Sequence, residues 1–136
     1  MRVVLDASVA LKWVLNEPDS AIALQFRSEL RQQLHEILAP DTFLAEIGHA
    51  LTRSERKGLI QPPQSLTFYG DILSTAPDLH SIIPLMPRAI ELSSQVRHGV
   101  YDCLLIALGE RENCSVLTAD NAFAAKFPNI ITLDSL

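Results

Sequence analysis

The chain has 136 residues and carries 11 lysines and arginines against 16 aspartates and glutamates, a formal net charge of −5. With 48% hydrophobic residues, 20% charged residues and five glycines, it is neither disordered nor collagenous nor of low complexity. One domain over residues 1–136 is expected, and the longest apolar runs fall far short of the roughly 20 residues of a membrane span. The opening Met1-Arg2-Val3-Val4-Leu5-Asp6 has no leader pattern, and Cys103 and Cys114 form no CxxC or disulfide framework. Two inert buried thiols in a cytoplasmic protein, with no membrane contact, are the expectation.

In chain order, Val3-Val4-Leu5 predicts a short buried strand ending at Asp6, and residues 7–15 a helix stopped by Asn16-Glu17-Pro18-Asp19. Residues 20–37 predict a second helix, apolar at Ile22, Ala23, Phe26, Leu30, Leu34 and Ile37, followed by a brief strand at Ile37-Leu38-Ala39. Asp41 or Thr42 then caps a helix that runs to about Lys57, where Gly58 ends it. Pro62-Pro63 opens another helix to about Thr75, Ser81-Ile82-Ile83 reads as a strand, and residues 86–96 as a helix. After Gly99 comes an apolar helix over 102–112, a strand at Val116-Leu117-Thr118, a short helix over 121–127 and a last strand over 130–133. Short strands alternating with helices predict an α/β fold, a parallel sheet covered on both faces, whose function collects beyond the carboxyl ends of the strands.

Chemistry is approached by elimination. There is no GxSxG elbow, no P-loop and no HxxxH pair among His35, His49, His80 and His98. Carboxylates remain. Asp6 follows the first strand directly, and Asp120 lies two residues past Thr118 at the end of the 116–118 strand, so both belong to one edge of the sheet. Asp102 opens the apolar helix that leads into that strand. Glu46 flanks the stripe of Phe43, Leu44, Ile47 and Leu51 and finds His49 and Ala50, not a basic residue, three and four positions on. Taken singly, each acid also reads as a cap, a turn or a solvated flank residue. Taken together, two carboxylates ~4 Å apart repel by about 4 kcal/mol at an effective dielectric near 20, so a fold that gathers them must bind a cation or hold a proton. All-oxygen ligands suit Mg²⁺ or Mn²⁺. Such an ion also offsets the net acidity that would otherwise repel a nucleic acid.

Four segments carry a resemblance. Val3-Val4-Leu5-Asp6-Ala7-Ser8-Val9, Phe43-Leu44-Ala45-Glu46, Tyr101-Asp102-Cys103-Leu104-Leu105-Ile106-Ala107-Leu108 and Leu117-Thr118-Ala119-Asp120-Asn121-Ala122-Phe123 resemble the PIN domain, and within it the VapC-type toxins of bacterial toxin–antitoxin pairs. The resemblance implies a three-layer α/β/α domain and a Mg²⁺- or Mn²⁺-dependent endoribonuclease that leaves a 3′-hydroxyl and a 5′-phosphate. It implies Asp6 and Asp102 as principal metal ligands, Asp120 completing the site directly or through water, and Glu46 joining the metal shell or orienting the attacking water. Ser8 and Thr118 match hydroxyl positions that support the acids. A homodimer and a small antitoxin that covers the site with a basic side chain are also implied. His49 departs from the family pattern, standing where an asparagine is common.

Other residues read more plainly. Arg53, Arg56 and Lys57 complement a helix C-terminus and are candidates for RNA phosphates, and Arg97 and His98 read as exposed loop charge. Trp13 reads as core. Two alternatives stand beside the nuclease: a non-catalytic RNA- or protein-binding module, and an aspartate-based phosphohydrolase of the haloacid dehalogenase type. The latter wants a second aspartate at the position of Ser8.

Overall fold

Apolar runs of three or four residues make the centre of the molecule. The computed structural model describes Met1 to Leu136. Its elements are β1 (Arg2–Leu5), α1 (Ala7–Leu11), α2 (Ser20–Arg31), β2 (Glu36–Pro40), α3 (Phe43–Arg56), α4 (Gln64–Leu73) and β3 (Asp78–His80). There follow α5 (Met86–Val96), α6 (Val100–Glu112), β4 (Ser115–Thr118), α7 (Asn121–Ala124), β5 (Ile130–Thr132) and a closing 3-10 turn over Leu133–Ser135. The five strands pair in the order β3-β2-β1-β4-β5, all parallel, with Val4 of β1 opposite Leu38 of β2 and Val116 of β4.

Strand alternation divides the core in two. Val3, Leu5, Ile37, Ala39 and Leu117 turn to one face, where α1, α2, α3 and α4 deliver Ala10, Phe26, Ile47 and Ile72. Val4, Leu38 and Val116 turn to the other, against Leu92 of α5, Leu104 and Leu108 of α6 and Phe123 of α7. The result is the expected three layers. Helix α6 is buried without interruption from Cys103 to Gly109 because it lies between the sheet and α5. Gly109 is required there: a Cβ would stand 2.8 Å from the carbonyl oxygen of Cys114, where the chain folds back into β4. Trp13 is core, its indole N–H donating to the Ala23 carbonyl at 3.0 Å and its ring covered by the Arg27 guanidinium at 4.7 Å.

Several boundaries differ from expectation, each for a local reason. The helix expected over 20–37 stops at Arg31, because Gln33 takes a left-handed conformation (φ 63°). The amides of Gln33 and Leu34 then close back on Leu30 and Glu29, a Schellman-type stop that leaves Leu34 exposed. The strand expected at 81–83 lies at Asp78–His80 instead, with Leu38 opposite Asp78 and Pro40 opposite His80. Ser81-Ile82-Ile83 turns into α5, and the Ile82 carbonyl accepts from the amides of Leu85 and Met86. A polar edge strand of three residues carries no hydrophobic signature by which to find it. Helix α1 ends at Leu11 and α7 at Ala124, both shorter than expected, while α6 begins two residues early, capped by Gly99. Gly58 ends α3 as anticipated, with φ 75°.

Candidate active site at the carboxyl edge of the sheet

The sheet runs outward from β1 to β2 and β3, then crosses back to β4 on the other side of β1. The crevice between β1 and β4 is therefore the topological switch point, where loops part on either side of the sheet. Asp6 emerges from β1 at this point. Its amide still donates to the Leu117 carbonyl at 3.0 Å, while its extended backbone (φ −75°, ψ 140°) starts α1. Thr118, at the matching end of β4, is fully buried and donates its hydroxyl to Asp6 Oδ2 at 2.7 Å. Ser8 donates to the same oxygen at 2.9 Å. Each hydroxyl is also an acceptor, Ser8 from the Ala119 amide and Thr118 from the Asp120 amide, both at 3.0 Å. The two hydroxyls thus lock Asp6 to the loop that carries Asp120.

Glu46 projects from the first turns of α3 and Asp102 from the first turn of α6. The three acids share one field. Burial pushes the Asp6 carboxyl above its ordinary range; the Thr118 and Ser8 hydroxyls oppose the shift, and the charge of Asp102 adds to it. Glu46 is pushed up to about 7, first by burial and then by the charges of Asp6 and Asp102, with the Thr42 hydroxyl working the other way. No lysine or arginine pairs with any of the three. Asp120 stands apart: its Oδ1 accepts from the Phe123 amide at 3.1 Å, so it caps α7, and its charge is not among those acting on Asp6 or Glu46.

The donor set is all oxygen, like-charged and unpaired with any lysine or arginine, which suits a hard divalent cation. No three His, Cys, Asp or Glu side chains stand close enough to grip one ion directly.

Two features escaped the sequence reading. His98 is not exposed loop charge: its Nε2 lies 2.6 Å from Asp102 Oδ2 and its ring stacks on Phe123 at 5.4 Å. The (i, i+4) spacing to Asp102 was the available signal, hidden by placing the helix start at Asp102. A groove of about 590 Å³ also opens beside Ser8, Asp120 and Asn121, walled by Lys12, His49, Arg53 and Lys57. Cys103 is buried and Cys114 half-buried, and burial raises both thiols, so neither is a ready nucleophile.

The fold and the acidic switch point define the class. The PIN-domain pattern matches residues 3–126, and the chain belongs to that family. Among its relatives, ribonuclease VapC3 of Pyrobaculum aerophilum is 29% identical over 136 aligned positions, covering 97% of this chain and 99% of that protein. The fold matches the crystal structure of PAE2754 from Pyrobaculum aerophilum with a TM-score of 0.76 at 17% identity, over 99% of this chain and 85% of that one. It also matches VapBC2 from Rickettsia felis, solved bound to a DNA fragment from its promoter, with a TM-score of 0.69 at 20% identity over 97% of each chain. No helix is long and apolar enough to cross a membrane.

Proposed function

We propose that this PIN domain is a Mg²⁺- or Mn²⁺-dependent endoribonuclease, the cytoplasmic toxin half of a VapBC-type toxin–antitoxin pair. The observation that carries the reading is the trio Asp6, Glu46 and Asp102, gathered at the switch point with no lysine or arginine of the chain beside them. Kinship with a ribonuclease along nearly the whole chain supports the substrate class. In this reading Asp6 and Asp102 are the principal ligands of the ion, and Asp120 completes the set directly or through water. When bound, the ion polarises the phosphodiester and lowers the pKa of water.

The remaining work belongs to the side chains. Ser8 and Thr118 hold Asp6 in one orientation, so the carboxylate needs little rearrangement to act as a ligand. Glu46, on the first turns of α3 and facing the charges of Asp6 and Asp102, would join the metal shell or orient the attacking water. Arg53 and Lys57, exposed on the groove wall and free of ion pairs, meet phosphates of an RNA strand that runs past Asp120. His49 shares that wall with Asp120, where it bears on substrate choice or on hydrogen bonding beside the site. A homodimer and a small VapB-like antitoxin complete the assembly. An antitoxin that inserts a basic side chain among the three acids relieves their mutual repulsion, and so competes with the ion.

The test is incubation of total cellular RNA with the protein and Mn²⁺ or Mg²⁺, beside Asp102→Asn, with the new ends sequenced. Discrete cuts that need both the metal and Asp102 are expected, with activity in the variant lower by at least ~100-fold, since a bound ion supplies several kcal/mol of transition-state stabilisation. Intact RNA in every lane, with folded protein freed of inhibitor, overturns the nuclease in favour of a non-catalytic binding module.

A further inference from the structure

Asp102 is the one acid of the trio held by an aromatic nitrogen. His98 Nε2 lies 2.6 Å from its Oδ2, and because a carboxylate only accepts, Nε2 carries the hydrogen. Asp102 Oδ1 accepts nothing from the protein. The imidazole is itself fixed. Its ring lies nearly parallel to Phe123, 5.4 Å between centroids and 15° between planes, and meets Phe127 edge-on at 5.8 Å. Phe123 and Phe127 pack against each other at 5.7 Å. The backbone is pinned as well: the His98 carbonyl accepts from the Ser93 hydroxyl of α5 and, at 3.7 Å, from the Cys103 thiol.

We infer that His98 is a positioning residue of this site, holding Asp102 by Oδ2 so that Oδ1 is the oxygen left for a divalent cation. The inference rests on the reading of Asp102 as a metal ligand. Two observations separate it from an ordinary surface pair. An exposed (i, i+4) pair needs no aromatic seat, yet here the side chain is 17% exposed and packed on two rings. The seat also reaches the fourth acid, since Phe123 is the residue whose amide Asp120 caps. Asp120, Phe123, His98 and Asp102 therefore form one contiguous set, with the imidazole lying between Asp102 of α6 and Phe123 of α7. A hydrogen bond behind a ligating carboxylate fixes its rotamer before the ion arrives, which favours binding without touching the ion.

The experiment is titration calorimetry of Mn²⁺ into the parent, His98→Phe and His98→Gln, with thermal midpoints recorded in parallel. His98→Phe keeps a ring on Phe123 and removes the donor; Mn²⁺ affinity is expected to fall by about 10–100-fold with little change in midpoint. His98→Gln restores an N–H and is expected to recover most of the loss, which a purely structural role does not produce. Should His98→Phe fail to fold, His98→Leu serves the same comparison from a smaller side chain. Parent-like affinity in the folded variants overturns the positioning role and leaves the metal site standing. Absence of Mn²⁺ binding by the parent removes Asp102 as a ligand and takes this inference with it.

Discussion

The two ends of the sheet treat acidic residues in opposite ways. At the amino end, Arg2 bonds Glu112 at 3.0 Å and faces Glu36 at 3.5 Å, and Arg111 takes the second oxygen of Glu112 at 3.1 Å. The hydrogen bond from Arg2 is the first cause of a Glu112 carboxyl held below its ordinary range. At the carboxyl end, Asp6, Glu46 and Asp102 have no such partner, and Glu46 is driven up to about 7. Only about thirteen to seventeen ångströms of strand separate the ends, taking ~3.3 Å per residue over four or five residues. Arginines are thus placed around the acids of one edge and kept from those of the other. Repulsion left in place at one edge alone is what the proposed reading answers with an external cation, be it a metal ion or a partner's side chain.

The largest effect expected from that contrast is stabilisation by metal. Mn²⁺ at 100 times its dissociation constant adds ~2.7 kcal/mol, and raises the melting midpoint by roughly 10 °C for a chain of this size. Asp6→Asn loses most of that rise; an undiminished rise in the variant would take Asp6 out of the ligand set. Next comes Thr118→Val, close to isosteric, which strips Asp6 of a hydrogen bond in a fully buried position. A cost of about 1–3 kcal/mol in chemical denaturation is expected, with weaker Mn²⁺ binding.

Glu46 supplies a prediction with a sign. Its folded pKa lies above its unfolded one, so the folded state holds a proton that the unfolded state has already released between pH 4.5 and about 7. Stability of the metal-free protein therefore declines as pH rises through that window and levels off above it. Glu46→Gln removes its own share of the decline, the raised Asp6 carboxyl keeping the remainder, with a gain of about 1–2 kcal/mol at pH 8 after allowance for solvent screening and nothing at pH 4. A parallel pH profile in the variant would show that Glu46 is not the source. The smallest effect belongs to the other edge: Arg2→Ala lowers the midpoint slightly, the loss disappears in 1 M salt, and Mn²⁺ affinity is untouched. An effect of Arg2→Ala on metal binding would dissolve the contrast between the edges.

Legibility in the sequence followed the same physics. Strands β1, β2 and β4 were readable because each is a compact apolar run ending in a polar residue or a proline. Asp6 and Thr118 were placed by those ends alone. β3 was unreadable, since Asp78-Leu79-His80 is a strand only by virtue of its pairing with β2. The end of α2 was misjudged because Gln33, a residue that rarely adopts φ > 0, makes the stop. At the site, the company kept by Asp6, Glu46 and Asp102 followed from resemblance and sheet topology. The seat of His98 did not, because it depends on Phe123 and Phe127, which come 25 and 29 residues later and declare themselves only once α7 is folded against α6.

The bond between Thr118 and Asp6 spans 112 residues of sequence, and the Asp6 amide is tied to the neighbouring Leu117. Translation therefore delivers Asp6 and Ser8 more than a hundred residues before the strand that carries Thr118. Until β4 leaves the exit tunnel, β1 has no neighbour on that side, and Asp6 lacks the Thr118 hydroxyl. No nascent fragment short of residue 118 holds a finished centre. In the proposed toxin reading, the pairing of β1 with β4 is the step that fixes Asp6, so the centre does not form from the segments translated before β4.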